Sequence, residues 1–594
     1  MQLSKAKKAT LCGTLRNTAG HTSRNTARNN TRNGIRSTLC GALCAVTSLA
    51  GVAAPDKVFF GGPVITMDAG GSVVEALAVE DGRIVAVGDS ATVLALADGK
   101  TQRIDLDGAP LLPGFVDSHS HANFIGLQAM SGNILPPPDG GGASVADIQR
   151  ILRDYMKSEP ALERELGWVI GFGYDDSQLA EQRHPTRQEM DAVSSEVPIL
   201  LIHQSGHLGV ANSLGLKLAG VGPDTPDPDG GAFRRESDGK QPNGVAEEYA
   251  FFRLIFSALA ASSEDLQDRM SLAGAATMAS YGYTTAQEGR ANPEGMASLQ
   301  RVAERGELKI DLVSYPDMLM LEDVSTSRSY ENRYRVGGVK LTIDGSPQGK
   351  TAWLSHAYHV PPEGQEEDYV GYPAIDVNTV NSNVMRAFEN GWQILVHSNG
   401  DAATDTLLTA VRMAREKYPD AEIRPVLIHG QVLRKEQVAG LDELGIFPSL
   451  FPMHTFYWGD WHRDSVLGPE RAQNISPTGW VLERGMMFGS HHDAPVANPD
   501  SMRVLSATVT RTTRSGEVLG PQHRVDVMTG LRALTIWPAW QHFEEGSKGS
   551  LEVGKLADLV VLSENPLAVD TSRLADLKVL TTYKEGQVVY QRGE

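Results

Sequence analysis

The chain has 594 residues, of which 41% are hydrophobic and 21% are charged, and its formal net charge is −19. A chain of this length is too long for one simple core, so we expect two or three structural units with the composition of a soluble globular protein. The acidic balance argues against a nucleic-acid partner, because clustered Lys and Arg hold a phosphate backbone.

The first 54 residues differ from the rest of the chain. They carry eight basic residues and no acidic residue, and residues 37–52 are mostly small and apolar before Ala53-Ala54. A basic region, a short apolar region and an Ala-type cleavage site are typical of a secretory signal peptide, and the apolar run is too short to span a bilayer. We therefore expect residues 1–54 to be the signal peptide of a secreted or periplasmic protein. An organellar transit peptide and a start assigned too early are the alternatives. All three cysteines lie in this segment, at Cys12, Cys40 and Cys44.

Short strands are predicted at both ends of the remaining chain. Near the start, Asp81-Gly82 separates two β-patterned runs, which is a strong hairpin signal. The last fifty residues repeat the pattern, with a second hairpin expected around Lys584-Glu585-Gly586-Gln587. Neither end has enough strands for an independent core. Residues 55–110 and 541–594 are therefore predicted to join in one small β-sandwich.

Between the two ends, strand-like runs alternate with helix-like runs such as Thr404–Arg415 and Met502–Thr513, which is the pattern of a parallel α/β sheet. The eight candidate strands are Phe115–Ser118, Thr284–Gln287, Ile310–Ser314, Val339–Ile343, Ile394–Val396, Val426–Ile428, Ile446–Leu450 and Met486–Gly489. Eight β/α units suggest a closed TIM barrel over residues 111–540, whose working face lies at the C-terminal ends of the strands.

The gap between the first two candidate strands is too long for an ordinary connection. Residues 123 to about 280 are therefore predicted to form an insertion with its own structure. One of its helices should open at Ser144, and another should open at the capping box that Thr186 and Glu189 form.

The first candidate strand ends in His119-Ser120-His121. Because residues i and i+2 of a strand point to the same face, both imidazoles would aim at one spot where the strand gives way to loop. Neutral imidazoles suit a divalent transition metal. The alternative is that one histidine packs in the core while the other is solvated.

Polar residues also stand at the ends of other candidate strands. His397 ends the fifth, His429 ends the sixth, and Ser490-His491-His492-Asp493 follows the eighth, while Lys340 lies in the fourth. Each residue alone has an ordinary explanation as a buried or surface group. Because the C-terminal ends of barrel strands meet at one face, their combination predicts a metal site.

These motifs resemble the metal-dependent amidohydrolase superfamily, within it the amidohydrolase-3 or YtcJ-like branch. The segments similar to its motifs are Leu112 through His121, Gly338 through Gly345, Val396 through Asp401, Asp493 through Val496, and Gly549 through Val561. The resemblance implies a (β/α)8 barrel with an insertion and a composite β-sandwich. It also implies metal-assisted hydrolysis of an amide or similar C–N bond that is not a peptide bond.

Carried over residue by residue, the resemblance implies six metal ligands: His119, His121, Lys340, His397, His429 and Asp493. Lys340 would bridge two cations after reacting with carbon dioxide, because a buried lysine beside cations loses its proton readily. An unmodified Lys340 would favour one cation. We expect one or two zinc ions, with iron, manganese or nickel as alternatives. His491 and His492 interrupt the family's Gly-Ser-Asp turn, so either could take part.

The implied mechanism uses hydroxide, since a divalent metal lowers the pKa of bound water to about 7. Asp493 would carry the proton of the water to the leaving amine. His207 resembles a substrate-facing histidine of the family, although it could serve only to stabilise the insertion. The aromatic loop Phe451–His462 is expected either to wall a pocket for an apolar substrate or to pack under the insertion.

The sequence therefore predicts a metal-dependent amidohydrolase acting on small apolar or aromatic N-acyl, N-formyl or cyclic amide compounds. One alternative on the same scaffold is hydrolysis at another centre, by ring deamination or by ester or phosphoester cleavage. The other alternative is a non-catalytic barrel that binds a metal or another ligand. The expected partner is a small-molecule substrate. We expect no nucleic-acid partner and no membrane contact once the signal peptide is removed, and a homo-oligomer is possible.

Overall fold

The structure of the protein, a computed structural model, describes residues 54–593 except residues 159, 322 and 363. The predicted signal peptide falls outside the described residues, apart from its last position, and stays a prediction. In the described part of the chain, every helix is too short or too polar to span a bilayer.

Strands from both ends of the chain lie in one eight-stranded sheet. Its members are Lys57–Ile65, Val73–Glu80, Arg83–Gly88, Gln102–Asp105, Leu111–Pro113, Leu559–Leu562, Val579–Lys584 and Gln587–Gln591. Leu111–Pro113 connects the two ends, because it pairs in parallel with the first of these strands and antiparallel with Leu559–Leu562. Both predicted hairpins are present, and Asp81 and Gly82 take the positive φ angles of a tight two-residue turn.

Eight parallel strands, named β1 to β8 here, lie at or beside the predicted positions. They are Phe115–Val116 (β1), Tyr283–Ala291 (β2), Asp311–Pro316 (β3), Gly338–Thr342 (β4), Gln393–Ser398 (β5), Val426–His429 (β6), Phe447–Leu450 (β7) and Gly489–Ser490 (β8). The last prediction, Met486–Gly489, was wrong in its bounds. β7 pairs only with Gly489 and Ser490, so the residues before Gly489 do not form part of the strand.

Within each of two sheets, neighbouring strands of this series pair in chain order. β1 to β3 form one parallel sheet with the short strand Tyr334–Val336, and β4 to β8 form another. Tyr334–Val336 runs into β4 through Gly337, so the two sheets are continuous along the chain. Segment 533–534 lies between the first and last strands, because Val116 N donates to Leu534 O (2.9 Å) and Ser490 N donates to Ala533 O (3.0 Å). The C-terminal ends of all eight strands therefore face the same side.

Helices connect the strands and cover their apolar faces. The α-helices are Ser90–Leu94, Ala122–Met130, Val145–Lys157, Ala161–Leu166, Arg187–Asp191, Ser213–Leu218, Tyr249–Leu259, Glu264–Ser280, Pro293–Glu304, Val377–Asn390, Asp401–Lys417, Lys435–Leu444, Met453–Trp461, Gly468–Arg471, Thr478–Glu483, Ser501–Thr510, Val527–Arg532 and Ile536–Gln541. Shorter helical turns of other types are His462–Val466, Ala472–Asn474, Pro521–His523 and Thr571–Asp576. The main core lies between these helices and the strands, where residues such as Leu341, Val396 and Leu427 are fully buried. This packing fixes the strand ends.

A separate six-stranded sheet lies between β1 and β2. Its strands are Gly132–Asn133, Val169–Tyr174, Ile199–His203, Leu208–Ala211, Gly231–Arg235 and Pro242–Glu248. Ser144 caps the helix Val145–Lys157, and Thr186 and Glu189 form the predicted capping box. We call residues 132–259 the insertion from here on. The helices on either side of it, Ala122–Met130 and Glu264–Ser280, cross closely, since a Cβ on Gly126 would stand 1.8 Å from Met270 O.

Candidate metal centre

Three ligand atoms converge just beyond β1 and β8. His119 Nε2 and His121 Nε2 lie 3.4 and 3.3 Å from Asp493 Oδ1. All three atoms lie within 4.8 Å of one another, which is close enough to hold one cation. His119 and His121 stand two residues apart at the end of β1, as the sequence pattern predicted.

Lys340 reaches the same place from β4. Its Nζ lies 3.0 Å from His119 Nε2, and the side chain is fully buried. No described carboxylate forms an ion pair with it. Burial lowers the pKa of Lys340 to about 7, so a large fraction of this amine is neutral near neutral pH.

A second pair of imidazoles lies next to the first group. His397 Nδ1, at the end of β5, lies 3.0 Å from His429 Nε2, at the end of β6. His429 Nε2 in turn lies 3.8 Å from Asp493 Oδ2. The carboxylate of Asp493 therefore faces both groups, one oxygen to each. The structure brings all six predicted ligands together.

His491 and His492 take different places. His491 Nε2 lies 3.1 Å from His429 Nδ1, and its Nδ1 lies 2.9 Å from Ser449 Oγ, so this ring stands behind His429. His492 turns away, and its Nδ1 accepts a hydrogen bond from Ala494 N (2.9 Å). Only His491 touches a predicted ligand, and it does so from the far side.

The donor set is suited to cations. Burial lowers the pKa values of His119, His397, His429 and His491 well below the ordinary 6.5, so these rings are neutral and keep a lone pair near neutral pH. Asp493 Oδ1 is buried and accepts no hydrogen bond from the described residues. His429 and Asp493 also adopt positive φ angles of 78° and 53°, an unfavourable backbone conformation that is typical of functional sites. A divalent cation would satisfy these groups.

Neighbouring residues that were not predicted from the sequence orient the rings. Gln287, on β2, donates through Nε2 to Ser118 O (2.8 Å), so its Oε1 accepts from His119 Nδ1 (3.3 Å). His397 Nε2 donates to Gly345 O (3.1 Å). Each bond places the proton on the outer nitrogen and leaves the inner nitrogen as an acceptor. Gln287 lies at the end of the second predicted strand, which was the available signal.

His207 lies above the centre on the insertion. Its ring centroid stands 5.8 Å from that of His397, and its Nδ1 lies 2.7 Å from Glu248 Oε2. Glu248 also accepts from Thr351 Oγ1 (2.9 Å), and it has a positive φ of 48°. Burial alone would lower the pKa of His207, but the carboxylate of Glu248 outweighs it, and the pKa is raised. No sequence motif had pointed to Glu248.

A further group of two aspartates and one histidine lies in the insertion. Asp175, Asp176 and His203 could also surround a cation by distance alone. However, Ser205 N donates to His203 Nδ1 (3.0 Å), so His203 Nε2 carries the proton and donates to Asp176 (3.0 Å). The group is therefore satisfied by its own hydrogen bonds, and it fixes the turn that carries His207.

A cavity of about 800 Å³ opens from the metal centre. Its apolar wall contains Phe124, Leu127, Tyr249, Phe252 and Phe256, mostly from the helix Tyr249–Leu259 of the insertion. Of the two alternatives for the loop after β7, a pocket wall or packing under the insertion, Tyr457 and Trp458 take the second. Trp458 Nε1 donates to Asp175 Oδ2 (2.6 Å), and Tyr457 bonds to Asp139.

Comparison with known proteins gives matches along most of the chain. A sequence model described as the amidohydrolase family matches residues 102–590. The N-substituted formamide deformylase of Arthrobacter pascens is 28% identical over 560 residues, covering 90% of this chain and 98% of that protein. The putative amidohydrolase YtcJ of Bacillus subtilis is 27% identical over 548 residues, with coverages of 90% and 99%.

Among solved structures, an uncharacterized metal-dependent hydrolase from Pyrococcus horikoshii has a similar fold. It superposes with a TM-score of 0.69 and 22% identity, over 87% of this chain and 99% of that chain. At this identity the likeness concerns the fold alone.

Proposed function

Since the chain belongs to the amidohydrolase family, we propose that it cleaves the C–N bond of small N-acyl, N-formyl or cyclic amides that carry an apolar or aromatic group. As a member of the amidohydrolase-3 branch, it is a metal-dependent hydrolase acting on C–N bonds. The apolar wall of the cavity supports the choice of substrate. So does the likeness to a relative named for deformylating N-substituted formamides.

One observation carries the proposal: imidazoles from three strand ends, a buried lysine and an aspartate surround one small volume at the floor of the cavity. His119, His121 and Asp493 would hold one cation, and His397 and His429 would hold a second beside it. We propose zinc for both, because imidazole and carboxylate suit it. When bound, such ions activate water as a nucleophile and polarise the carbonyl of the substrate.

Lys340 is proposed to be carboxylated and to lie between the two groups. Its lowered pKa supports this role, because only a neutral amine forms a carbamate. Its distance of 3.0 Å from His119 Nε2 also supports it, since a carbamate on Nζ would reach the same volume as the imidazoles. Without the modification, one cation would be expected.

Asp493 is proposed to transfer the proton from the attacking water to the leaving amine. Its Oδ1 accepts no other described hydrogen bond, so an electron pair is available for that proton. A poor leaving group such as an amine needs protonation as its bond breaks. His207, held by Glu248, is proposed to donate a hydrogen bond to the oxygen of the tetrahedral intermediate.

Two features of the architecture belong to the same proposal. We propose that β1 to β8 close into a barrel through residues 533–534, with the metal centre at its mouth. We also propose that the two chain ends fold into a β-sandwich. The separate apolar cluster of their shared sheet, with Phe59, Leu77 and Tyr583, supports this.

We propose further that residues 1–54 direct export to the periplasm or the cell exterior. The basic region followed by an apolar region and Ala53-Ala54 supports this. N-terminal sequencing of protein recovered from an exporting host tests it. A mature start close to Pro55 is expected, and an intact leader on exported protein would contradict it.

The function is tested by turnover of matched substrate panels by the zinc-loaded full chain. Aryl amides, N-formyl amines and cyclic amides are compared with aryl esters, phosphoesters and heterocyclic amines. We expect the amides to be hydrolysed, with loss of activity in a chelator and recovery with zinc. Turnover restricted to the esters or to deamination of the heterocycles would contradict the proposal.

A further inference from the structure

One cationic side chain of the cavity takes no part in the metal centre. Arg290 stands near the end of β2 and lines the same cavity as Lys340 and His207. Its side chain is only 22% exposed, so most of its surface is covered by other residues, and it lines the cavity. The reaction proposed above does not require a guanidinium at this position.

Asp317 fixes the orientation of Arg290. Arg290 Nε donates to Asp317 Oδ2 (2.9 Å), and the Asp317 side chain is 3% exposed. Asp317 Oδ1 accepts from Leu319 N (2.9 Å), and Asp317 N donates to Ala291 O (3.1 Å). The carboxylate is therefore held from both sides, and Arg290 is anchored through its Nε alone.

The outer edge of this guanidinium is available to a ligand. In the described part of the chain, Nη1 and Nη2 of Arg290 have no hydrogen-bond acceptor. Two parallel N–H groups at the edge of a planar guanidinium match the two oxygens of a carboxylate. A carboxylate of the substrate would complete the hydrogen bonding of Arg290.

Neighbouring groups indicate where such a carboxylate would lie in the substrate. Met318 N donates to Lys340 O (2.9 Å), so the segments that carry Asp317 and Lys340 run side by side, about 4.8 Å apart. The guanidinium carbon of Arg290 also stands 5.4 Å from the ring centroid of Phe252 in the apolar wall. The carboxylate would thus lie near both the scissile amide and the apolar wall. The α-carbon of an amino acid connects a nitrogen, a carboxylate and a side chain in this way.

We propose that the substrates are N-acyl or N-formyl α-amino acids with an aromatic or large aliphatic side chain, whose carboxylate binds Nη1 and Nη2 of Arg290 while the side chain packs against Phe252. This inference rests on the proposed function. In the reaction, water adds its hydroxyl to the acyl carbon and its proton to the leaving nitrogen. The products are a carboxylic acid and a free amino acid.

The test uses two substrates that differ only in the carboxylate, N-formylphenylalanine and N-formyl-2-phenylethylamine, with the zinc-loaded full chain. We expect the wild type to prefer the acid at least tenfold in kcat/KM. Arg290→Gln should lower kcat/KM for the acid by about 10- to 100-fold, mainly through KM, and leave the amine derivative within twofold. Arg290→Lys should restore part of the loss.

Arg253→Gln is the matched control, because Arg253 lies on the same helix as Phe252 but its Nε donates to Ala219 O (3.0 Å) in the insertion. This variant should leave kcat/KM unchanged for both substrates. Equal losses on both substrates in Arg290→Gln, or a wild type that prefers the amine derivative, would overturn the inference. If Arg290→Gln does not fold, the wild-type preference and competition by 3-phenylpropanoate against 3-phenylpropanamide decide. If the wild type hydrolyses neither compound but cleaves other amides of the panel, this inference fails alone, and if it cleaves no amide at all, the proposed function fails.

Discussion

Buried lysines lie at opposite ends of the parallel strands, two at one end and one at the other. At the end where β3 begins, Lys548 and Lys584 both bind Asp311 Oδ2, at 2.5 and 2.6 Å, and Lys584 also binds Asp558 (2.7 Å). At the other end, Lys340 contacts His119, and no described carboxylate pairs with it. All three side chains are buried to a similar degree.

The same burial has opposite consequences at the two ends. Burial alone would lower the pKa of Lys548, but Asp311 and Glu544 outweigh it, and the pKa rises above its ordinary value. At Lys340 the more distant carboxylates of Asp493 and Asp317 offset burial only in part, and the pKa falls to about 7. An unpaired buried charge destabilises a fold unless a partner is supplied. The difference supports the proposal that the Asp311 end stabilises the protein, whereas the Lys340 end binds cations and performs the chemistry.

The largest expected effect is on catalysis at the incomplete end. Asp493→Asn should lower kcat by at least about a thousandfold, because the amide can neither accept the proton of water nor return it. The melting temperature should change little, since Asp493 Oδ1 accepts no described hydrogen bond that the amide would lose. Steady-state kinetics and thermal unfolding measure the two quantities. Near-normal turnover in this variant would remove Asp493 from the mechanism.

Exchanging one lysine at each end sharpens the comparison. Lys584→Met should lower the free energy of unfolding by about 3–5 kcal/mol, because Asp311 and Asp558 would lose a buried partner. The folded fraction of Lys584→Met should have the kcat of the wild type. Lys340→Met should leave stability unchanged or higher and lower kcat by about a hundredfold or more. Urea unfolding curves and kinetics of both variants check this, and equal loss of stability in both would contradict the account.

The stability of metal-free protein should depend on pH through the histidines of the centre. Burial lowers the pKa values of His119, His397, His429 and His491 in the folded state, so below pH 6.5 the unfolded chain binds more protons. Stability should therefore fall as the pH falls below 6.5, by up to about 1.4 kcal/mol per pH unit for each histidine. Thermal unfolding between pH 7 and 5 measures the slope. Other buried histidines add to this slope, and the raised pKa values of Asp117, about 6, and Asp344, about 7, oppose it. The comparison with His429→Gln is therefore the decisive one: the slope should fall by about one proton, and an unchanged slope would be inconsistent with a neutral His429.

The smallest effect is expected at the outer part of the apolar wall. Phe256 lines the cavity and is 54% exposed, so Phe256→Ala should raise KM about threefold to tenfold for amides with a large apolar group. Leu218→Ala is the control, because Leu218 is 55% exposed on another helix of the insertion. Steady-state kinetics with benzyl and methyl amides measure the effect. An equal change in KM for both amides would contradict a specific contact.

Sequence patterns predicted the strands and the six converging residues because these follow local rules. Strand alternation places His119 and His121 on one face, and parallel strands bring His397 and His429 to the same edge. The orienting residues Gln287 and Glu248, and the helix that carries Phe252, were missed. The roles of Glu248 and Phe252 depend on how the insertion packs over the strand ends, which no local pattern specifies, whereas Gln287 acts through its pairing with the end of β1. The same dependence on the packing of the insertion explains why the sequence left two alternatives open for the aromatics after β7.

The central claim is that the strand-end residues hold cations, and metal content per chain tests it most directly. Elemental analysis of the purified full chain should give one or two transition-metal ions per chain. The double variant His119→Ala/His121→Ala should lose at least one of them, while Asp175→Asn, in the hydrogen-bonded cluster of the insertion, should lose none. A wild type without bound metal after exposure to zinc, or a double variant with unchanged metal content, would contradict the account.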